Sequence, residues 1–212
     1  MSANRATSRR ETEERFLDAA ERLLIEVGYA SITTRTLAEE AGVNLGLLHY
    51  YFGSMDELFL QVLERFTDRL TARQRAMYDS PTPYIEKWRE AMRYLEVDRP
   101  YQKIWWELQA MAWNRPEYRE RVIRVRASWR DAMRSAVSEA VARYRLDTGP
   151  FSVDEWITLI LTMNGGIILE RLSGIEEGHA ALLAGIDRWL SALEASAGET
   201  QEAPGEPGRR EE

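Results

Sequence analysis

Apolar residues recur along most of the chain at spacings of three and four, and no stretch keeps the alternation of a half-buried strand. The pattern predicts an all-α protein. A first helix should begin near Ser8, where "SRRE" has capping-box spacing: Ser8 accepts from the backbone and Glu11 reaches back. Phe16, Ala20, Leu23, Leu24 and Val27 then share one face, and Gly28 suits the stop. A short helix follows over about residues 34 to 41, with Thr33 as N-cap and Gly42 as its end. Asn44 can cap the next, over about residues 45 to 51. "SMDE" repeats the capping box at Ser54 and Glu57. It opens a long helix over about residues 55 to 78, with Phe59, Val62, Phe66 and Leu70 on one side.

"SPTP" at 80 to 83 is a clear break. Helices are predicted over about 84 to 97 and 101 to 113. Pro116 sits in the first turn of a long helix to about 145, with Val122, Val125, Trp129, Met133, Ala136 and Ala140 as its apolar row. "LDTGP" ends it. Ser152 and Glu155 form a third capping box, starting a helix to about 172, and the last helix covers about 176 to 195. The tail, rich in Gly, Pro and Glu, should be disordered. The expected organisation is a small helical head over 1 to 54 with a flexible arm at 1 to 7. A larger helical domain then covers 55 to 197, and the tail covers 198 to 212.

Composition narrows the class. Hydrophobic residues make up 44% and charged residues 30%, ordinary for a soluble globular protein. No apolar run approaches the length of a membrane span. The N-terminus lacks the apolar segment of a secretory signal. The absence of cysteine excludes disulfides and thiolate chemistry and fits a reducing compartment, so a cytoplasmic location is expected. A net charge of −7 argues against a nucleic-acid coat but leaves a local basic face open.

Groups for catalysis are scarce, and the chain does not read as an enzyme. There are two histidines, His49 and His179, and no HExxH, G-x-S-x-G, P-loop or GxGxxG motif. A di-iron bundle needs two Glu-x-x-His pairs. Glu176 and His179 make one, but Gly46 stands where His49 would need its glutamate. His179 reads as an exposed helix histidine. "NGGII" at 164 to 168 lies mid-helix, where close approach of another helix explains its glycines better than phosphate binding. No metal or cofactor is expected.

Residues 33 to 52 carry the clearest constellation. A helix, a turn pivoting on a glycine and a second helix form a helix-turn-helix unit. Leu37, Ala38, Ala41, Val43 and Leu48 should be its core. In such units the second helix enters the major groove, and its N-terminal residues meet base edges. Leu45 and His49, four apart, share a face, and with Asn44 they can reach bases. Tyr50 and Tyr51 can hydrogen-bond phosphates, and Arg35 is a guanine or phosphate donor. The candidate DNA-binding set is Thr34, Arg35, Asn44, Leu45, Leu47, His49, Tyr50 and Tyr51. The other reading makes Tyr50, Tyr51 and Phe52 core aromatics; for Phe52 it is the better one.

Here the chain resembles the TetR family of bacterial transcription regulators. The resemblance covers about residues 12 to 63: Gly28-Tyr29, "TTRTLAEEAGV", "NLGLLHYYF" and "GSMDELF", in matching order and spacing. It implies a DNA-binding repressor that works as a homodimer on a palindromic operator in double-stranded DNA. Two departures matter. The family often has lysine at the place of Met55, so one phosphate contact is missing. It often has a polar residue at the place of Leu45, so readout there becomes apolar, for example to a thymine methyl. Residues 1 to 55 carry six arginines and eight acids, so the head is not basic overall. Arg5, Arg9 and Arg10 precede the expected first helix, and a basic arm there could add phosphate or minor-groove contacts.

The resemblance also implies that the last two long helices pair with their copies into a four-helix bundle. Trp156, Leu159, Ile160, Met163, Ile167 and Leu172 leave more apolar surface than one neighbour needs, and Leu182, Leu183, Ile186, Trp189, Leu190 and Leu193 line the last helix. All seven tryptophans follow residue 87. A small hydrophobic or aromatic effector is expected, with Trp105, Trp106, Glu107, Gln109, Trp113 and Trp129 as candidate contacts. The competing class is an all-helical small-molecule binder or enzyme whose head does not bind DNA. No membrane partner is expected.

Overall fold

The protein was described from a computed structural model, which defines the backbone of residues 2–146 and 149–202 and the side chains of 9–146 and 149–198. Among these residues there are nine α-helices and no strand: α1 (Ser2–Glu26), α2 (Thr34–Ala41), α3 (Gly46–Phe52), α4 (Met55–Tyr78), α5 (Tyr84–Val97), α6 (Arg99–Asn114), α7 (Arg119–Arg143), α8 (Val153–Leu172) and α9 (His179–Glu202). No described helix is long and apolar enough to cross a membrane.

Two compact units result among the described residues, one from the chain up to 76 with 94–132, the other from 77–93 with the chain from 133 on. The division falls within α4, α5 and α7.

In unit 1, Phe16, Ala19, Ala20 and Leu24 turn one stripe of α1 onto Leu37, Leu48, Phe52, Phe59 and Leu63. Phe16 meets Phe52 edge-on at 5.8 Å, and Tyr29 meets Phe59 at 5.4 Å. Ile104, Leu108 and Met111 of α6 and Val125 of α7 complete this core. Unit 2 buries Tyr84, Ile85 and Trp88 of α5, Met133, Val137 and Val141 of α7, Ile157 and Leu161 of α8, and Leu190 of α9. Lys87 is buried there, with its ammonium 2.7 Å from Glu139 Oε2. Burying that charge without a partner would be costly.

Several boundaries differ from the sequence reading. α1 begins at Ser2, so residues 2 to 7 are helical rather than a flexible arm. No Gly or Pro interrupts the chain before Gly28, and Arg9 bonds Glu13 one turn on at 2.9 Å, so Ser8 is simply passed over. At Ser54 only half a capping box forms. The Glu57 N–H donates to Ser54 Oγ at 3.1 Å, while the Glu57 carboxylate is drawn to Arg121 and Gln61. A 3-10 turn, Pro116–Tyr118, precedes α7. Helix α9 starts at His179 and continues to Glu202, through the first residues of the expected tail; 203–212 lie outside the described residues.

His179 is corrected outright. It is buried, with Nε2 2.5 Å from Glu170 Oε2 of the preceding helix. The Ser152–Glu155 capping box is complete, as expected.

Charge pairs fasten the helices of unit 1. Arg65 donates to Asp18 at 2.8 Å and to Glu21 at 2.7 Å, and Arg69 also pairs with Glu21. Burial pushes the Glu21 carboxyl up, but Arg69 and Arg65 outweigh it and leave it below its ordinary 4.5. A depressed carboxyl contributes stability above its unfolded value and loses it as pH falls through the folded one. Stability should therefore decline as pH drops below about 4.5, with Glu21 contributing. In urea denaturation, Glu21→Gln should be less stable than the parent at pH 7. It should also lose less on acidification than the parent does.

Candidate nucleic-acid interface

The exposed face of α2 and α3 is built from its turns. Thr33 caps α2 reciprocally: the Thr36 N–H donates to Thr33 Oγ1 at 3.1 Å and the Thr33 N–H to Thr36 Oγ1 at 3.0 Å. At the other end Gly42 is left-handed, φ 62° and ψ 38°. The Val43 N–H returns to Ala38 O at 3.1 Å, closing the helix as a Schellman-type turn. Arg15 of α1 donates to Gly42 O at 2.6 Å, and Arg22 bonds Glu40 at 2.8 Å, so α1 holds α2 at its C-terminal end. Asn44 Oδ1 accepts from the Gly46 N–H at 2.9 Å and caps α3.

These constraints divide the candidate residues. Leu37, Ala38, Ala41, Leu48 and Phe52 are buried, and Val43 is half-buried. Arg35, Asn44, Leu45, His49 and Tyr50 are exposed, Tyr50 by 68%. Thr34, Leu47 and Tyr51 are half-buried, with Leu47 and Tyr51 packed against the core. Met55, where a phosphate-binding lysine was expected from the resemblance, also packs there. Arg35, Ala38, Glu39, Val43, Asn44 and Leu45 line a shallow, open groove.

His49 Nδ1 lies 2.9 Å from Gly53 O. A carbonyl only accepts, so Nδ1 carries the proton. The neutral ring then offers Nε2 as an acceptor, the complement of an adenine or cytosine amino group in the major groove. Tyr50 and Tyr51 meet edge-on at 5.1 Å, and the Arg9 guanidinium lies 5.8 and 5.7 Å from their ring centres. Arg9 thus reaches α3 from a helix rather than from a flexible arm, a contact that no local motif announces. Arg35 pairs with Glu39 at 2.8 Å; both are exposed, so exchange for a phosphate costs little.

The base of this head is tied to α6 and α7. Tyr29 donates from its hydroxyl to Asp56 at 2.9 Å and from its backbone N–H to Glu107 at 2.8 Å. Arg115 also pairs with Asp56, and Arg121 bridges Glu57 and Glu64.

The effector candidates do not converge. Glu107 is committed to Tyr29, Trp105 and Trp129 pack against the core of unit 1, and Trp113 is exposed. Gln109 is half-buried, and so is Trp106, whose indole N–H has no partner among the described residues. A cavity of about 150 Å³ lies instead within unit 2, among Tyr84, Trp88, Val137, Tyr144, Trp156 and Trp189. The excess of apolar positions on α8 and α9 was the available signal, read from sequence as a bundle face alone.

Residues 16–62 match the sequence profile described as bacterial regulatory proteins, tetR family. The HTH-type transcriptional repressor KstR of Mycolicibacterium smegmatis is 36% identical over 78 residues, covering 36% of this chain and 38% of that protein. The HTH-type transcriptional regulator BetI 2 of Chromohalobacter salexigens is 30% identical over 109 residues, 49% of this chain and 53% of that one. The matched stretch thus spans about two-fifths to half of these curated relatives. A putative transcriptional regulator from Rhodococcus sp. RHA1 shares the fold, with TM-score 0.68 at 17% identity over 88% of this chain and 95% of its own.

The turn geometry is open to test. A Cβ on Gly42 would sit 2.7 Å from Arg15 Nη2, on a backbone that L-residues disfavour by about 1–2 kcal/mol. Gly42→Ala should cost at least about that much in urea denaturation followed by circular dichroism. Arg15→Ala, which removes a surface hydrogen bond, should cost about 0.5–1.5 kcal/mol.

Proposed function

This chain belongs to the TetR family of bacterial regulatory proteins, and on that premise we propose that it is a sequence-specific DNA-binding transcriptional regulator. We read it as a repressor released from its operator by a small hydrophobic molecule. One observation carries the DNA reading. Arg35, Asn44, Leu45, His49 and Tyr50 are exposed together on the helix-turn-helix, while every large apolar neighbour on α2 and α3 is at least half-buried. An exposed tyrosine beside an arginine is poor use of a core aromatic and good use of a phosphate contact. The relatives' printed names, regulators and repressors rather than enzymes, support the same class.

In this reading α3 enters the major groove. Asn44, Leu45, Leu47 and His49 face bases, while Thr34, Arg35, Tyr50 and Tyr51 face phosphates. The functional head ends near Ser54, whatever the compact units. The chain acts as a homodimer through α8 and α9, where Leu159, Leu169, Leu172, Leu182 and Trp189 are exposed. Two heads on one palindrome require half-sites about 34–36 Å apart, or a multiple of that. An effector releases DNA only by favouring the conformation with wrongly spaced heads, and α4 is the proposed carrier of that change.

Genomic fragments retained by the protein supply the DNA for a binding titration. Arg35→Ala, His49→Ala and Tyr50→Ala should each weaken binding tenfold or so at unchanged helicity, as loss of about 1–3 kcal/mol implies. Arg9→Ala should reduce the salt slope by about one. If the three recognition variants bind like the parent, α3 is not the reading helix. In sedimentation at micromolar concentration the chain should be a dimer, and a monomer would contradict the proposed assembly.

A further inference from the structure

The cavity among α5, α7, α8 and α9 has two unlike walls. Tyr84, Trp88, Val137 and Ala140 form one and are buried. Leu159 and Trp189 belong to the other and are 48% and 44% exposed. Their two helices, α8 and α9, leave Leu169, Leu172 and Leu182 bare as well. The cavity therefore opens on the side where α8 and α9 expose apolar residues. Beside it, a Cβ built on Gly166 meets nothing within 4 Å, which leaves room for a helix to approach.

The chemistry of the walls is selective. The lining is almost wholly carbon. The Tyr144 hydroxyl already donates to Glu194 at 2.7 Å. None of the lining residues is charged, and Arg89 pairs with Asp187 and Arg143 with Glu194 on the surrounding helices. An ionised ligand would lose its hydration and gain no counter-charge. One donor is unspent: the Trp156 indole N–H is buried and has no acceptor among the described residues. Trp156 also stacks on Trp189, with ring centres 6.2 Å apart and planes 27° apart, so a flat ligand meets flat walls. An apolar cavity of roughly 150 Å³ takes one benzene-sized ring.

We propose that this cavity binds a neutral, single-ring aromatic ligand carrying one hydrogen-bond acceptor, and that a second copy of this chain closes it. The proposal rests on the dimer reading above, and it names the site and class of effector. Because the partner completes the site, the ligand and the second subunit strengthen each other's binding by the same factor.

The test uses the full chain and three probes of one size: acetophenone, ethylbenzene, which lacks the acceptor, and benzoate, which is charged. Acetophenone should quench tryptophan fluorescence saturably, bind severalfold tighter than ethylbenzene, and tighten the dimer in sedimentation. Benzoate should not bind over the same range. Leu182→Arg alters the bare face without lining the cavity. It should give a monomer that binds acetophenone at least tenfold more weakly. Ala140→Phe fills the buried wall and should abolish binding while leaving the dimer intact. Met163→Trp fills the half-buried wall and serves if the first variant does not fold. Absence of acetophenone binding to the parent, or equal binding of benzoate, overturns the site. So does unchanged binding by both filled variants. A monomeric variant that binds as tightly as the dimer overturns the closure. Sedimentation of the ligand-free parent reads the dimer separately: a parent that is monomeric yet binds acetophenone overturns the closure and leaves the DNA reading untouched.

Discussion

The turn at Gly42 is the constraint on which the recognition surface depends. A left-handed residue there ends α2, and α3 begins after four linking residues, with Leu48 and Phe52 inward. The turn leaves the Gly42 carbonyl without a helical partner, and Arg15 of α1 supplies the donor. That bond joins the orientation of α3 to the helix carrying Phe16, the residue around which the head packs. The faces of α2 and α3 left over, Arg35, Asn44, Leu45, His49 and Tyr50, are exposed because the turn fixes what can be inside.

Electrostatics follow from the same arrangement. The chain is acidic overall, yet net charge does not describe a face. Asp18 and Glu21 are turned onto Arg65 and Arg69, and Asp56, Glu57 and Glu64 onto Arg115 and Arg121. Those carboxylates serve helix packing. Arg9 lies beside Tyr50 and Tyr51 while paired with Glu13 on its own helix, and Arg35 holds only an exposed, easily exchanged partner. The ties from Asp56 to Arg115 and from Glu57 to Arg121 join the start of α4 to the turn after α6 and to α7.

Local chemistry explains what was legible in the sequence. The cap at Thr33, the stop at Gly42, the break before α5 and the capping box at Ser152 depend on a few adjacent residues, and each lies where its residue types demand. Three-dimensional partners were not legible. Ser8 reads as a cap until it is seen that nothing upstream opposes a longer helix. Glu57 leaves its capping role because Arg121, 64 residues away, offers a stronger partner. His179 is buried because Glu170 of the preceding helix meets it, which spacing alone does not announce. The tryptophans were the visible signal for a pocket, but Trp105 and Trp129 pack into unit 1, Trp113 is exposed, and the cavity formed around Trp88, Trp156 and Trp189.

The central claim is that α3 reads the major groove, and chemical protection on a retained genomic fragment addresses it directly. Dimethyl sulfate modifies guanine N7 in the major groove and adenine N3 in the minor groove. The account predicts that bound protein shields guanine N7 in two patches one helical turn or a multiple apart on one face of the duplex, while adenine N3 within those patches stays reactive. Unshielded guanines, or protection confined to adenine N3, would contradict it.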